Sequence, residues 1–295
     1  MKYICATIPR MDKRAKGILC ILTSAFSFAV MNMFVRLSGD IPSIEKSFFR
    51  NAIAAIVALI IVISEREEIK IERKDLPLLL IRSAVGTVGI LGNFYAVDHL
   101  ILSDATMLNK MSPFFTLLFS FLFLKEGISF RKMLLVIGAF IGSLFIIRPT
   151  FSNQNLLASI IGFIGGVGAG GAYTAVRALG KRGVKGSVIV LFFSAFSCLV
   201  TLPYLIFDFH PMTIKQLIML ILAGTAAACG QFAITAAYRF APAREISIYD
   251  YSQVIFSAIL GYIAFSQIPD GWSFLGYGII ILMALLMYIA NRKGD

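Results

Sequence analysis

The sequence predicts an all-α integral membrane protein of ten transmembrane helices, built as two inverted five-helix repeats. Three observations carry that expectation. The chain of 295 residues is 58% hydrophobic and 15% charged, with a mean hydropathy of +0.85, a composition outside the range of soluble domains. Its Lys and Arg gather on alternate connections between apolar runs. The stretch from Phe94 to Arg148-Pro149 also returns 141 positions later, between Thr235 and Asn291. That shift sets Ala96 on Ala237, Asp104 on Glu245, Asn109 on Asp250, Ser112 on Gln253, Thr116 on Ser257 and Val35-Arg36 on Val176-Arg177. With five spans in each half, the second copy enters the bilayer upside down, the plan by which many carriers build one central site.

A hydrocarbon slab about 30 Å thick needs ~20 apolar residues per helix. After a basic tail at 1–15, the first span is expected at 16–37; it is longer than a signal-peptide core and lacks a small-residue cleavage motif, so it is retained. It carries Asn32. The second, 43–64, holds Lys46 and Arg50, and the third, 76–97, holds Arg82, Asn93 and Tyr95. In the fourth, 101–124, Asn109, Ser112, Thr116 and Ser120 make one polar stripe at helical spacing, facing another helix or water; Pro113 loosens the helix beside Lys110. The fifth, 131–148, has Gly138 and Gly142 as GxxxG, for internal packing or a dimer face. The sixth, 155–178, carries Tyr173 and the run Gly166 to Gly171. That run matches GxGxxG, but inside an apolar helix it serves close packing and not a dinucleotide. The seventh and eighth are expected at 187–208 and 214–238, the latter with Gln231 and Tyr238. In the ninth, 246–265, Asp250, Gln253, Ser257 and Gly261 repeat the stripe, and the tenth runs 272–291.

The net charge of +11 does not point to nucleic acid, because its distribution is that of a membrane protein. Twenty of the 27 Lys and Arg lie in the tails and on alternate loops of this topology, against Arg36, Lys46, Arg148 and Lys215 opposite. Positive-inside bias puts both termini in the cytoplasm. Glu45 and Asp98 read as solvated charges at the outer rim. Cys5, Cys20, Cys198 and Cys229 have no metal or CxxC spacing, and His99 and His210 lie at outer loop ends. No metal, cofactor or catalytic set is therefore expected.

The residues Phe94-Tyr95-Ala96, Ser103-Asp104-Ala105-Thr106, Ser112-Pro113-Phe114, Phe123-Leu124-Lys125-Glu126 and Ile147-Arg148-Pro149, echoed by Ala237-Tyr238, Ala241-Pro242-Ala243 and Ser252-Gln253, resemble the EamA-type drug/metabolite transporter family. Leu135 and Gln267 depart from that family's usual Gly and Glu. The resemblance implies two EamA-like units, 16–150 and 151–292, in a bacterial cytoplasmic (plasma) membrane. It also implies a cavity lined by helices 1, 3, 4, 6, 8 and 9, with helices 5 and 10 peripheral. Substrates across the family include amino acids, nucleotide-derived metabolites, vitamins and amines.

Lys110 lies ~13 Å along its helix, close to mid-membrane, where an isolated cation costs roughly 2.5–3.5 kcal/mol. It therefore pairs with Asp250 or faces a wet cavity. Arg50 and Arg82 either snorkel to the interfaces or act as substrate or gating charges, since a guanidinium binds carboxylate or phosphate in a bidentate way. The expected substrate site is Asn32, Asn93, Tyr95, Asn109, Lys110, Tyr173, Gln231, Asp250 and Gln253. The expected activity is secondary transport of a small polar or amphipathic metabolite by alternating access, with protons or a counter-substrate as coupling partner. A flippase for a lipid-linked intermediate is the alternative. An enzyme is not expected, for want of paired carboxylates or a nucleophile–base set. The protein is expected to be a monomer or weak homodimer.

Overall fold

The computed structural model describes residues 12–64, 71–125, 129–147, 155–240 and 247–293. Among them are α1 (Lys13–Leu37), α2 (Ser43–Ser64), α3 (Leu76–His99), α4 (Leu102–Asn109), α5 (Ser112–Leu124) and α6 (Phe130–Ile147). There follow α7 (Leu156–Lys181), α8 (Gly186–Phe207), α9 (Ile214–Phe240), a 3-10 turn (Ser247–Tyr251), α10 (Ser252–Phe265) and α11 (Gly271–Lys293). Most of the basic tail, Glu126, Arg148-Pro149, Ala241-Pro242-Ala243, Glu245 and the side chain of Tyr238 lie outside the described residues.

Helices occupy all ten expected positions, and among the described residues eight segments are long and apolar enough to cross a bilayer, α4 with α5 counting as one. The fifth position is α6, 18 residues long and apolar through Met133–Ile146. One position needs correction. The ninth is not one α-helix: a 3-10 turn precedes α10, which has 14 residues. Asp250 and Tyr251 are consecutive, yet both bond residue 110, so tertiary contact overrides the α-helical period at that turn.

The fourth position also divides, between Asn109 and Ser112. Pro113 has no N–H, which leaves the Asn109 carbonyl without its helical donor. The chain instead makes short-range bonds from Met111 N–H to Leu108 O (3.2 Å) and from Phe114 N–H to Met111 O (3.1 Å). Both α5 and α10 end on a left-handed residue, Lys125 and Ser266, each at φ 53°, again 141 positions apart.

The helices pair across the two halves: α1 lies against α9, α2 against α8, α3 against α7 and α6 against α11. The faces left over are apolar, including Ile56, Ile60 and Ile63 on α2 and Leu199, Ile206 and Phe207 on α8, as contact with lipid requires. Glycines of α7 bring three helices to backbone contact. A Cβ on Gly165 would lie 3.0 Å from Asn93 N, and one on Gly168 would lie 2.8 Å from Val85 O, both on α3. On the neighbouring face, a Cβ on Gly166 would lie 2.5 Å from Leu108 O of α4. Small residues drive helix association in lipid by this kind of approach. The GxxxG of α6 packs internally: Gly138 meets Met283 and Gly142 meets Ile279 and Ile280, all on α11.

Gly165→Val is accordingly expected to destabilise the protein by about 1–3 kcal/mol, because rigid backbone must move to admit it. Gly278→Ala, in α11 with nothing within 4 Å of the new methyl, is expected to be neutral or to stabilise by up to ~1 kcal/mol. Unfolding in detergent compares the two.

Candidate functional site

A cavity of about 100 Å³ lies in the middle of the bundle. Its walls come from both halves: α1 contributes Asn32, α2 Arg50, α3 Arg82 and Asn93, and the α4–α5 break Asn109 and Lys110. From the second half come Tyr173 of α7, Phe193 of α8, Gln231 of α9 and Gln253 of α10. No residue of α6 or α11 lines it. Metabolite sites usually enclose ~300–1,000 Å³, so in this conformation the cavity holds only a few waters.

Lys110 and Asp250 meet directly. The ammonium Nζ is 2.5 Å from Asp250 Oδ2, with side chains 8% and 12% exposed. Tyr251 adds a hydrogen bond from its hydroxyl to the Lys110 carbonyl at 3.1 Å, one that the local break in the helix leaves available. The other Asp250 oxygen, Oδ1, is buried with no partner among the described residues. One α-helical step along, Thr106 of α4 meets Ser257 of α10 at 2.8 Å. Asn32 donates to Thr106 at 3.5 Å, and Asn93 donates to Asn32 at 3.2 Å. A polar chain thus runs from the α4–α10 contact to the cavity wall on α3. Thr116 of the fourth-span stripe packs helices instead: Thr116 and Thr174 bridge α5 to α7 through Gly170 O and Thr116 O (both 3.2 Å).

Arg50 and Arg82 do not snorkel. Both are buried, 7% and 6% exposed, and both line the cavity. Their Cζ atoms stand 6.0 Å and 3.7 Å from the centroid of the same ring, Phe193. Arg50 donates to Asn51 Oδ1 at 2.5 Å, and Asn51 in turn reaches Ser197 of α8 at 2.8 Å. Helices α2 and α8 therefore join the wall, although the family resemblance pointed only to spans 1, 3, 4, 6, 8 and 9. Asp250 is held behind Lys110 and does not line the cavity itself. Tyr95 is placed elsewhere: it stacks on His99 at 4.2 Å near the end of α3. It lies two positions from Asn93, and i and i+2 do not share a helix face. Phe193 carries no sequence signal among 26 Phe.

The rim charges are a further correction. Glu45 and Lys46 are not solvated but fully buried at the start of α2. Lys46 pairs with Asp98 at 2.6 Å, and Glu45 Oε1 accepts from the His210 backbone N–H at 3.0 Å and contacts its Nδ1 at 2.9 Å. These residues precede apolar turns that pack against α3, α8 and α9, so folding encloses them. Arg36 donates to the carbonyls of Val97 (3.0 Å) and Leu100 at the C-terminal end of α3, where a cation is favoured. Hydrogen bonding to Glu45 raises the His210 pKa above its ordinary value. A raised folded-state value stabilises fully below the unfolded pKa, about 6.5, and the gain is lost as pH rises through the folded value. The melting temperature is therefore expected to fall over that window more steeply in the native protein than in Glu45→Gln.

Comparison with known proteins places the chain among transporters. Residues 15–148 match the EamA-like transporter family. The chain is 32% identical to the pseudopaline exporter of Pseudomonas aeruginosa over 286 residues, covering 96% of this chain and 99% of the relative. A riboflavin transporter of Vibrio cholerae is 26% identical, over 90% of this chain and 91% of its own. An S-adenosylmethionine uptake transporter of Rickettsia bellii is 25% identical, over 93% of each. One solved crystal structure superposes with a TM-score of 0.66 at 14% identity, covering 95% of this chain and 99% of that one, a likeness of fold.

Proposed function

We propose, because this chain belongs to the EamA-like transporter family, that it is a secondary carrier which moves a small polar or amphipathic metabolite across the cytoplasmic membrane by alternating access. The single observation that carries the reading is the central cavity, walled by polar and charged side chains from both halves. Such groups are costly in lipid unless a hydrated path or a ligand uses them. Its small volume suits a contracted state that parts to admit substrate. Units 16–150 and 151–292 would act as the two inverted repeats. In support, α1 pairs with α9 while α3 pairs with α7, and the 141-residue shift exchanges those two pairs. The broken helices at Lys110 and Tyr251 and the left-handed ends at Lys125 and Ser266 obey the same shift. Asp250, with one oxygen unpartnered, is the group for proton coupling, and the relative named for export favours outward movement with both termini inside.

The test is a thermal-shift screen of the purified protein against metabolites, since a ligand that binds the folded form raises its melting point. Flux of the hit is then followed in proteoliposomes. Flux in the native protein, lost in Lys110→Ala and Asp250→Asn, is expected. Equal flux in both variants would remove the pair from the mechanism.

A further inference from the structure

Two guanidiniums at the cavity wall have no anion among the described residues. Arg50 Nε, Arg82 Nε and Arg82 Nη1 are buried there without a hydrogen-bond acceptor. Among the described residues, neither arginine forms an ion pair. The nearby carboxylate, Asp250, is committed to Lys110, so the cavity wall holds two cations in excess. They face one Phe193 ring, at 3.7 Å and 6.0 Å from its centroid, which bounds their separation by the sum of those distances. The ring's π face attracts each cation but accepts no conventional hydrogen bond and carries no charge. A buried, unneutralised guanidinium is expensive, and two within reach of one another add repulsion. A packing role would be met more cheaply by apolar side chains.

Room for these head groups is also specific. A Cβ on Gly86, one turn along α3 from Arg82, would lie 2.7 Å from Arg82 Nη1 and 3.1 Å from the Phe193 ring. The missing side chain lets the guanidinium lie across the ring and toward the cavity. The unsatisfied N–H groups of Arg82 are on Nε and Nη1, which lie on the two different edges that a guanidinium offers to a carboxylate or phosphate.

Resting on the carrier reading, we infer that the transported substrate is a small organic anion, whose carboxylate or phosphate docks between Arg50 and Arg82 against Phe193. Asn93, with its Oδ1 buried and unpartnered, takes a donor on the remainder of the substrate. Gly86 acts as a positioning residue for Arg82.

The experiment measures ligand-induced thermal shifts of the full-length protein in detergent with matched probes: succinate against succinamide, glutamate against glutamine, and glycerol 3-phosphate against glycerol. At least one acid is expected to raise the melting point where its neutral partner does not. Its affinity is expected to fall about tenfold or more in Arg50→Gln and Arg82→Gln, a loss of at least 1.4 kcal/mol. Gly86→Ala keeps both charges and is expected to retain the ligand-free melting point while weakening the same acid, which a merely structural arginine would not do. Carboxylate and phosphate arms distinguish the two acid groups. Should no acid outperform its neutral counterpart, or should the acid bind Arg82→Gln and Gly86→Ala as it binds the native protein, the inference is overturned. Proteoliposome flux separates this from the carrier reading. Flux of neutral or cationic solutes that is unchanged in Arg82→Gln leaves the carrier standing without an anion site. Anion binding that vanishes in Arg82→Gln, with no flux of any probe, leaves the site standing without the carrier.

Discussion

Lys110→Ala is expected to destabilise the protein by about 3–5 kcal/mol, because it leaves a carboxylate buried without its counter-charge. The pair is 2.5 Å apart and each side chain is nearly enclosed. Asp250→Asn is expected to cost a similar amount, about 3–5 kcal/mol, by stranding the ammonium instead. The double variant Lys110→Met, Asp250→Leu strands neither charge, so its cost is expected to be clearly less than the sum of the two single losses. Unfolding in detergent reads all three. Additive losses would mean that the two side chains are stabilised separately, by water or by other partners.

The second large effect is expected at the N-terminal end of α2. Lys46 is fully buried and its ammonium is held by Asp98 at 2.6 Å, so Asp98→Asn is expected to cost about 3–5 kcal/mol as well. A control lies at the other end of the molecule. Glu72 and Lys74 are just as close, at 2.7 Å, but both are 66% exposed. Glu72→Gln is expected to change stability by at most ~1 kcal/mol. If the two variants behaved alike, burial at the rim would not be what gives the Asp98 pair its importance.

Most of the helical plan was legible from length and hydropathy alone, because a bilayer permits few alternatives to a run of ~20 apolar residues. The partnership of Lys110 with Asp250 was legible for the same reason: a cation at that depth needs a counter-charge, and one acidic residue was at hand. Pro113 announced the break in the fourth span. Nothing comparable announced the 3-10 turn at Ser247–Tyr251, which depends on contacts with a helix more than a hundred residues away. The rim charges read as solvated from sequence because Glu45 and Asp98 sit at helix ends, where local sequence suggests water. Their enclosure depends on the packing of α2 against α8 and on the connection that carries His210. Arg50 and Arg82 could snorkel or turn inward on sequence grounds. Phe193 and Gly86, which decide between those outcomes, are apolar residues in an apolar helix and give no signal before the chain is folded. Helical spacing alone separates Tyr95 from Asn93.

Access to the cavity from either side of the membrane is the most direct test of a carrier working around this site, and it requires no known substrate. Asn109→Cys, in a background with Cys5, Cys20, Cys198 and Cys229 replaced, places one thiol on the cavity wall. A membrane-impermeant maleimide is then added to right-side-out and to inside-out vesicles. Alternating access predicts modification in both preparations, at rates that depend on how long each side stays open. Modification in one preparation only, or in neither, would contradict it.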